Sequence, residues 1–370
     1  MKNIFYGSFI SGMQTPVAAI VKGRLPDVSI LKLLDGAIIF ETEASYDTLN
    51  FFCFNNIFAV IDIFATGKSS RSKAAKPLEL HANRLLKYAL SVQSGLKSTS
   101  RNPEDIFHPH RAKSVIAENN KKIQTFRLVC SMENKPASLD ENLRHNIETF
   151  ITRTSGLRPE RRGGDTEFWL LYRSEGISFF MKRLTRSIEK RLRPGELSPQ
   201  LAWLLCKLAR LKSGETACDP FCGYGSIAEA ALKYFPIKTL YAFDTNARAL
   251  NTTGQRQSLK TERCIVKPLN VFELDTFLKP ASCNAIITDP PWGMYSKTNL
   301  PLDQFYNEVL AIFERLLSEG GRAVILSAAK DELEAAVEKT KMLHITQSIP
   351  VLVAGKKASV FVVEKENQPL

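Results

Sequence analysis

One octapeptide in the second half of the chain, Ile286-Ile287-Thr288-Asp289-Pro290-Pro291-Trp292-Gly293, joins an apolar run to an acid, a diproline and an indole. The run predicts a buried strand, which puts Asp289 at its carboxyl end, the edge where open α/β sheets bind ligands. Consecutive prolines fix φ and direct carbonyls outward, so the Asp289 carboxylate and the Pro290 carbonyl can accept both hydrogens of one amino group. An exocyclic amine on a nucleobase is a poor nucleophile because its lone pair is delocalised into the ring. Two acceptors on its hydrogens pull the nitrogen towards tetrahedral geometry, and Trp292 offers a planar surface for an extruded base. Transfer to such a nitrogen needs mainly in-line positioning rather than a strong base. Asp289, Pro290, Pro291 and Trp292 are the catalytic candidates.

Upstream, Asp219-Pro220-Phe221-Cys222-Gly223-Tyr224-Gly225-Ser226 lies between a predicted strand, Thr216 to Asp219, and a helical run from Ile227 to Tyr234. Glycines in a strand-to-helix turn let the backbone approach a ligand closely. Asp244 ends the next strand, 25 residues after Asp219, where an acid can hold both hydroxyls of a ribose. Together these features predict a nucleoside-binding α/β domain without choosing its cofactor. The pyrophosphate fingerprint Gly-x-Gly-x-x-Gly is absent, which weighs against a nicotinamide oxidoreductase. Cys222 reads as a small packing residue of the turn.

These residues need a sheet to hold them. From about residue 190, strands alternate with helices, with candidate strands Thr216 to Asp219, Thr239 to Asp244, Arg263 to Lys267, Ala285 to Asp289 and Arg322 to Ser327. Two β-rich runs, 344–353 and 358–363, flank Gly355-Lys356-Lys357 without room for a helix and predict an antiparallel hairpin that closes the sheet. The stripe Phe305, Tyr306, Val309, Ile312 and Leu316 has helical spacing and reads as core. Residues 1 to about 65 predict one α+β unit. A second, from about 75 to 185, has helices at Leu78 to Ser91 and Leu139 to Thr152 and strands at Thr125 to Ser131 and Glu167 to Arg173.

The chain has 370 residues, 44% of them apolar, which excludes disorder throughout and allows two or three domains. Of its net charge of +12, residues 1–190 carry +9, so the first half favours a polyanionic partner. Lys68, Arg71 and Lys73 in a polar linker, Arg158, Arg161 and Arg162 in an Arg-Pro-Glu-Arg-Arg-Gly-Gly loop, and Arg183 are the candidate phosphate contacts. Seven cysteines without paired spacing argue against a disulfide framework or a zinc ribbon, and His108-Pro109-His110 reads as a surface turn, so no metal is expected. No stretch has the length and apolarity of a signal peptide or membrane span, and the reading is of a reduced, cytoplasmic monomer.

At its two motifs, Asp219-Pro220-Phe221-Cys222-Gly223-Tyr224-Gly225 and Asp289-Pro290-Pro291-Trp292, the sequence resembles the class I amino-methyltransferases. Through Arg193-Pro194-Gly195-Glu196-Leu197-Ser198-Pro199-Gln200-Leu201-Ala202 it is similar to the THUMP-containing RNA methyltransferases, particularly the tRNA guanine-N2 group. The resemblance spans nearly the whole chain. It implies a ferredoxin-like domain at 1–65, a THUMP RNA-binding domain at 66–188, and a Rossmann-like methyltransferase domain with a mixed seven-stranded sheet at 189–370. S-adenosylmethionine is the implied cofactor, tRNA the implied partner, and methylation of a guanine N2 the implied reaction. Pro199 and its neighbours, Asp219, Phe221, Gly223 and Gly225 would surround the methionine part, Asp244 the ribose, and Asn270 with Val271 the adenine, and Cys222 counts among the cofactor-binding positions. Tyr224 departs from the usual small residue between the glycines, and Asn270 from the usual Asp. Adenine N6 or a ribosomal guanine remains an alternative target, and an RNA-binding protein without transferase activity an alternative class.

Overall fold

The computed structural model describes residues 2–45, 49, 51–65, 77–94, 106–107, 115–116, 124–184, 192–293 and 300–367. Lys68, Arg71, Lys73, His108 and His110 lie outside the described residues.

The first half is built on strands β1 (Asn3–Ser8), β2 (Ser29–Leu34), β3 (Ala37–Thr42), β4 (Asn56–Ala65), β5 (Thr125–Met132), β6 (Thr166–Arg173) and β7 (Ile177–Arg183), with helices α1 (Gln14–Arg24), α2 (Pro77–Ser94) and α3 (Glu141–Ser155). The sequence predicts two separate α+β units here; the structure corrects this to one ten-stranded sheet, ordered β2-β3-β1-β4-β7-β6-β5 and completed by three two-residue strands. The joint is β4 against β7, antiparallel from Ala65–Ile177 to Phe58–Arg183. β4 is ten residues long and buried over its centre, so neither face nor edge is suited to water. Strand β7 is buried over all but its last residue, so it lacks the alternation that marks a half-exposed strand and the sequence does not predict it.

The second half has the predicted seven-stranded mixed sheet. Strands β8 (Thr216–Asp219), β9 (Thr239–Asp244), β10 (Cys264–Pro268), β11 (Cys283–Thr288), β12 (Leu317–Ser327), β13 (Leu343–Val353) and β14 (Lys356–Lys365) are ordered β10-β9-β8-β11-β12-β14-β13. The first five run parallel, and β14 enters antiparallel between β12 and β13. Helices α4 (Pro199–Leu208), α5 (Ser226–Tyr234), α6 (Ala247–Gln255), α7 (Leu302–Leu316) and α8 (Lys330–Glu338) cover it. Burial on both faces explains the unbroken apolar runs Ala285-Ile286-Ile287 and Ala323-Val324-Ile325. The order reverses at β8 and β11, so their carboxyl ends open a crevice. Among the described residues, no helix is long and apolar enough to cross a membrane.

Candidate functional site

A cavity of about 630 Å³ sits at that crevice, and Asp219, Phe221, Cys222, Gly223, Asp244, Asn270, Val271, Asp289, Pro290, Pro291 and Trp292 all line it. The two motifs, 70 residues apart in sequence, therefore face one space. Phe305 lines it as well, so one member of the core stripe also meets the site.

On the nucleoside side, each oxygen of Asp244 accepts one backbone N–H at 2.8 Å, from Gly223 and from Asn246. A carboxylate has about four acceptor positions, which leaves two for a pair of hydroxyls. Asn270 Oδ1 caps the helical turn that follows by accepting from Phe272 N at 3.1 Å. An Asp would cap there equally, so this departure keeps the loop's shape and one free lone pair. Tyr224 lies on the wall with the Arg193 guanidinium 5.3 Å from its ring centre.

Asp219 is the most constrained group. Its carboxylate is 1% exposed; Oδ1 accepts from Thr288 Oγ1 at 3.0 Å and from Phe221 N at 3.3 Å, while Oδ2 has no hydrogen-bond partner. Burial pushes its pKa up to about 8, opposed by those two hydrogen bonds, and repulsion from Asp244 and Asp289 adds to the rise. An orphaned carboxylate oxygen beside an open cavity is a seat for a cationic group.

At the reacting loop, β11 ends at Thr288 and Asp289 lies just beyond it. Burial pushes Asp289 up to about 7, against a hydrogen bond from Trp292. That bond gives Trp292 a contact the sequence does not predict, beside its place on the cavity wall. Its Nε1–H donates to Asp289 Oδ1 at 2.9 Å and to the Leu326 carbonyl at 3.3 Å, and its ring packs on the core. Trp292 braces the carboxylate and leaves Asp289 Oδ2 for another donor. Tyr306, 1% exposed, donates to the Pro291 carbonyl at 3.2 Å and bonds Ser327 Oγ at 2.7 Å, which fixes the diproline from below.

Two expected cofactor contacts are corrected. Pro199 is the first residue of α4 after the Ser198 N-cap and stays off the wall; its neighbours Pro194 to Leu197 line the cavity instead. Gly225, at φ +78°, caps α5, and a Cβ there would stand 2.7 Å from Thr253 Cγ2, so it serves packing rather than the ligand. Cys222 is buried and packs as predicted, with burial pushing its thiol well up.

Sequence reasoning missed the residue that ties these loops together. Arg256 pairs with the buried Glu196 at 2.6 Å and with Glu229, and its Nε donates to the Tyr224 carbonyl at 2.7 Å. Its partners lie up to 60 positions away, so no local pattern marks it.

In the first half, Arg158 is exposed in a two-residue strand paired with Thr125, and Arg161 and Arg162 are exposed on the loop after it, which is anchored where Gly164 meets the β5 backbone, a Cβ there falling 2.7 Å from Arg127 N. Arg183 is corrected: its side chain is 12% exposed, ion-paired to Glu167 at 2.8 Å and bonded to Asn56, so it holds the sheet together.

Residues 186–349 match the family model of the UPF0020 methyltransferase domain, described as RMKL-like. The chain is 24% identical over 208 residues to the U6 snRNA (guanine-N(2))-methyltransferase THUMPD2 of Bos taurus, covering 55% of this chain and 40% of that protein. It is 28% identical over 193 residues to the tRNA (guanine(6)-N2)-methyltransferase of Thermus thermophilus, covering 51% and 56%. The chain thus spans about half the length of these curated relatives. The crystal structure of TrmN from Thermus thermophilus superposes with a TM-score of 0.72 at 18% identity over 98% of this chain and 99% of that one, so the fold is shared from end to end.

Proposed function

We propose that this chain, with its methyltransferase domain at residues 186–349, methylates the exocyclic N2 of a guanine in RNA, a tRNA being the substrate, with S-adenosylmethionine as methyl donor. The carrying observation is the shared cavity: Asp289 with one free oxygen at the reacting loop, and Asp219 with an orphaned oxygen beside it. The residues fit the donor. Asp219 Oδ2 suits its positively charged methionine part, Asp244 its ribose, and Asn270 with Val271 its adenine. When bound, the donor supplies an electrophilic methyl group on a sulfonium.

The chain supplies position and charge. Asp289 Oδ2 and the Pro290 carbonyl accept the two amino hydrogens, exposing the nitrogen lone pair. Trp292 and Tyr306 hold that pair of acceptors still, so little reorganisation accompanies transfer. A carboxyl with its pKa near 7 can also take the proton the alkylated nitrogen loses. Relatives named for guanine-N2 transfer favour guanine over adenine.

We read residues 1–65 and 66–188 as ferredoxin-like and THUMP regions that grip the RNA, with Arg158, Arg161 and Arg162 on phosphates. The test is transfer of labelled methyl from S-adenosylmethionine to undermodified tRNA, followed by nucleoside mass spectrometry. N2-methylguanosine, lost in Asp289→Ala, is the expected result; N6-methyladenosine would move the substrate, and no product on any RNA would overturn the reading.

A further inference from the structure

Beyond the reacting loop, the cavity is closed by the tip of the β13–β14 hairpin, through Val353, Ala354 and Lys356. The tip has an uncommon backbone. Ala354 at φ +49° and Gly355 at φ +81° form a two-residue turn with both residues left-handed, where Gly or Asn is the ordinary first residue. A Cβ-bearing residue in that region costs roughly 1–2 kcal/mol, and it persists only where the surroundings hold it.

The surroundings do hold it. Just before the tip, Leu352 N donates to the Ser11 carbonyl at 3.3 Å, and Gly12 sits so close to Pro350 that a Cβ would stand 1.8 Å from the Pro350 carbonyl oxygen. The same loop is fastened to Asp35, whose carboxylate accepts from Ser11 Oγ, Gly12 N and Gln14 Nε2. The N-terminal sheet therefore sets the height of the hairpin over the cavity.

Charge gives the tip its chemistry. Among the described lining residues, Lys356 is the single cation, against Glu196, Asp219, Asp244 and Asp289. In the sheet, β14 stands two strands beyond β11 and three beyond β8, away from β9 and β10. At about 4.8 Å per strand, that is roughly 10 Å from the strand leading to Asp289 and 14 Å from that of Asp219. The strand order across the crevice thus runs from the nucleoside side through the strands of Asp219 and Asp289 to the strand that begins with Lys356. An anion at Lys356 belongs to whatever enters past Asp289, not to the donor's methionine end.

We infer that Lys356 binds a phosphate of the RNA beside the nucleotide being methylated, and that the Val353–Lys356 tip is the substrate-side wall of the site. The inference rests on the RNA methyltransferase reading above. Its test compares Lys356→Ala and Lys356→Arg with the unaltered chain, using undermodified tRNA at several salt concentrations and calorimetry of S-adenosylmethionine. Lys356→Ala raises KM for tRNA roughly tenfold, the worth of one charge-assisted hydrogen bond. It also lowers the slope of log affinity against log salt by about 0.7 to 0.9, and Lys356→Arg restores both. Weakened S-adenosylmethionine binding in Lys356→Ala would assign the lysine to the methionine carboxylate and overturn the inference, as would an unchanged KM and slope. With an active parent only the inference is at stake; a parent that transfers no methyl to RNA removes the function and the inference together.

Discussion

Replacing Trp292 with Phe keeps a planar ring on the core but deletes the N–H that Asp289 Oδ1 and the Leu326 carbonyl share. Burial holds Asp289 near pKa 7, and this hydrogen bond is what opposes it. A hydrogen bond to a charged group contributes about 1.5–3 kcal/mol, and one pKa unit corresponds to about 1.4 kcal/mol. Because the indole N–H is divided between two acceptors, the lower end applies, and the substitution raises the Asp289 pKa by about one unit. Asp289 must be ionised to accept amino hydrogens, so kcat/KM for RNA falls as pH drops through that pKa. With the methyl donor saturating, its positive charge draws the parent's acid limb to about pH 7 or below. The Trp292→Phe limb lies about a unit higher, giving roughly a tenfold loss on the acid side and near-equality on the alkaline plateau. Initial rates of labelled methyl transfer at subsaturating tRNA, from roughly pH 5.5 to 9.5, measure this. A loss that is uniform at every pH refutes the reasoning, because the indole would then act on the base or on packing rather than on the carboxylate's charge.

Asp219 has a raised pKa in the folded protein, so its contribution to stability is lost as pH rises from about 4 towards about 8. Asp219→Asn raises the Tm of the ligand-free protein at pH 8 and barely changes it at pH 4, while S-adenosylmethionine affinity drops and no longer increases with pH; thermal scans and calorimetry read both. Tyr306→Phe removes a buried hydroxyl from the Pro291 carbonyl and Ser327, costing about 1–2 kcal/mol in chemical unfolding and lowering kcat without weakening cofactor binding. Gly12→Ala places a Cβ against the Pro350 carbonyl at φ +94°, costing at least about 2 kcal/mol, and raises KM for tRNA as the hairpin shifts. Neutralising Arg161 and Arg162 together lowers the salt slope of tRNA binding by about 1.4 to 1.8; an unchanged slope removes that loop from the interface.

The parallel core was legible because strands buried on both faces read as continuous apolar runs, and the three strand-end acids were legible because a carboxylate at such an edge has few other uses. Boundaries slipped where local chemistry misled: Ser318-Glu319-Gly320-Gly321 looks like a turn, yet β12 starts at Leu317. Spacing alone could not separate residues that touch a ligand from residues that shape the loop around it. Pro199 starts a helix and Gly225 packs against Thr253, and both stand where the motif pattern puts a contact. Trp292 has the expected position, and its bond to Asp289 is visible only in its donor geometry. Arg256, Tyr306 and Lys356 come from elements remote in sequence, so their roles exist only once the chain is folded.

The two halves of the molecule meet through apolar packing rather than a polar hinge. The Phe52 ring lies 4.1 Å from Tyr234 and 6.2 Å from Trp203, and one continuous core runs from Phe40 and Phe54 through Leu205 and Leu232 to Val351. Domains joined by small polar interfaces move relative to one another, whereas a shared core resists it. If the N-terminal sheet grips the RNA as proposed, the RNA reaches Asp289 only at a separation the protein fixes. The Ser11–Gly12 contact with β13 bears on that separation most directly, since the strand it touches ends at the wall of the cavity. A side chain at Gly12 acts first on where the RNA lies and only through that on the reaction, which is why its effect belongs in KM. On the proposed mechanism charge at Asp289 acts instead on the reacting nitrogen itself, so the two kinds of substitution would separate placement of the guanine from activation of its amino group.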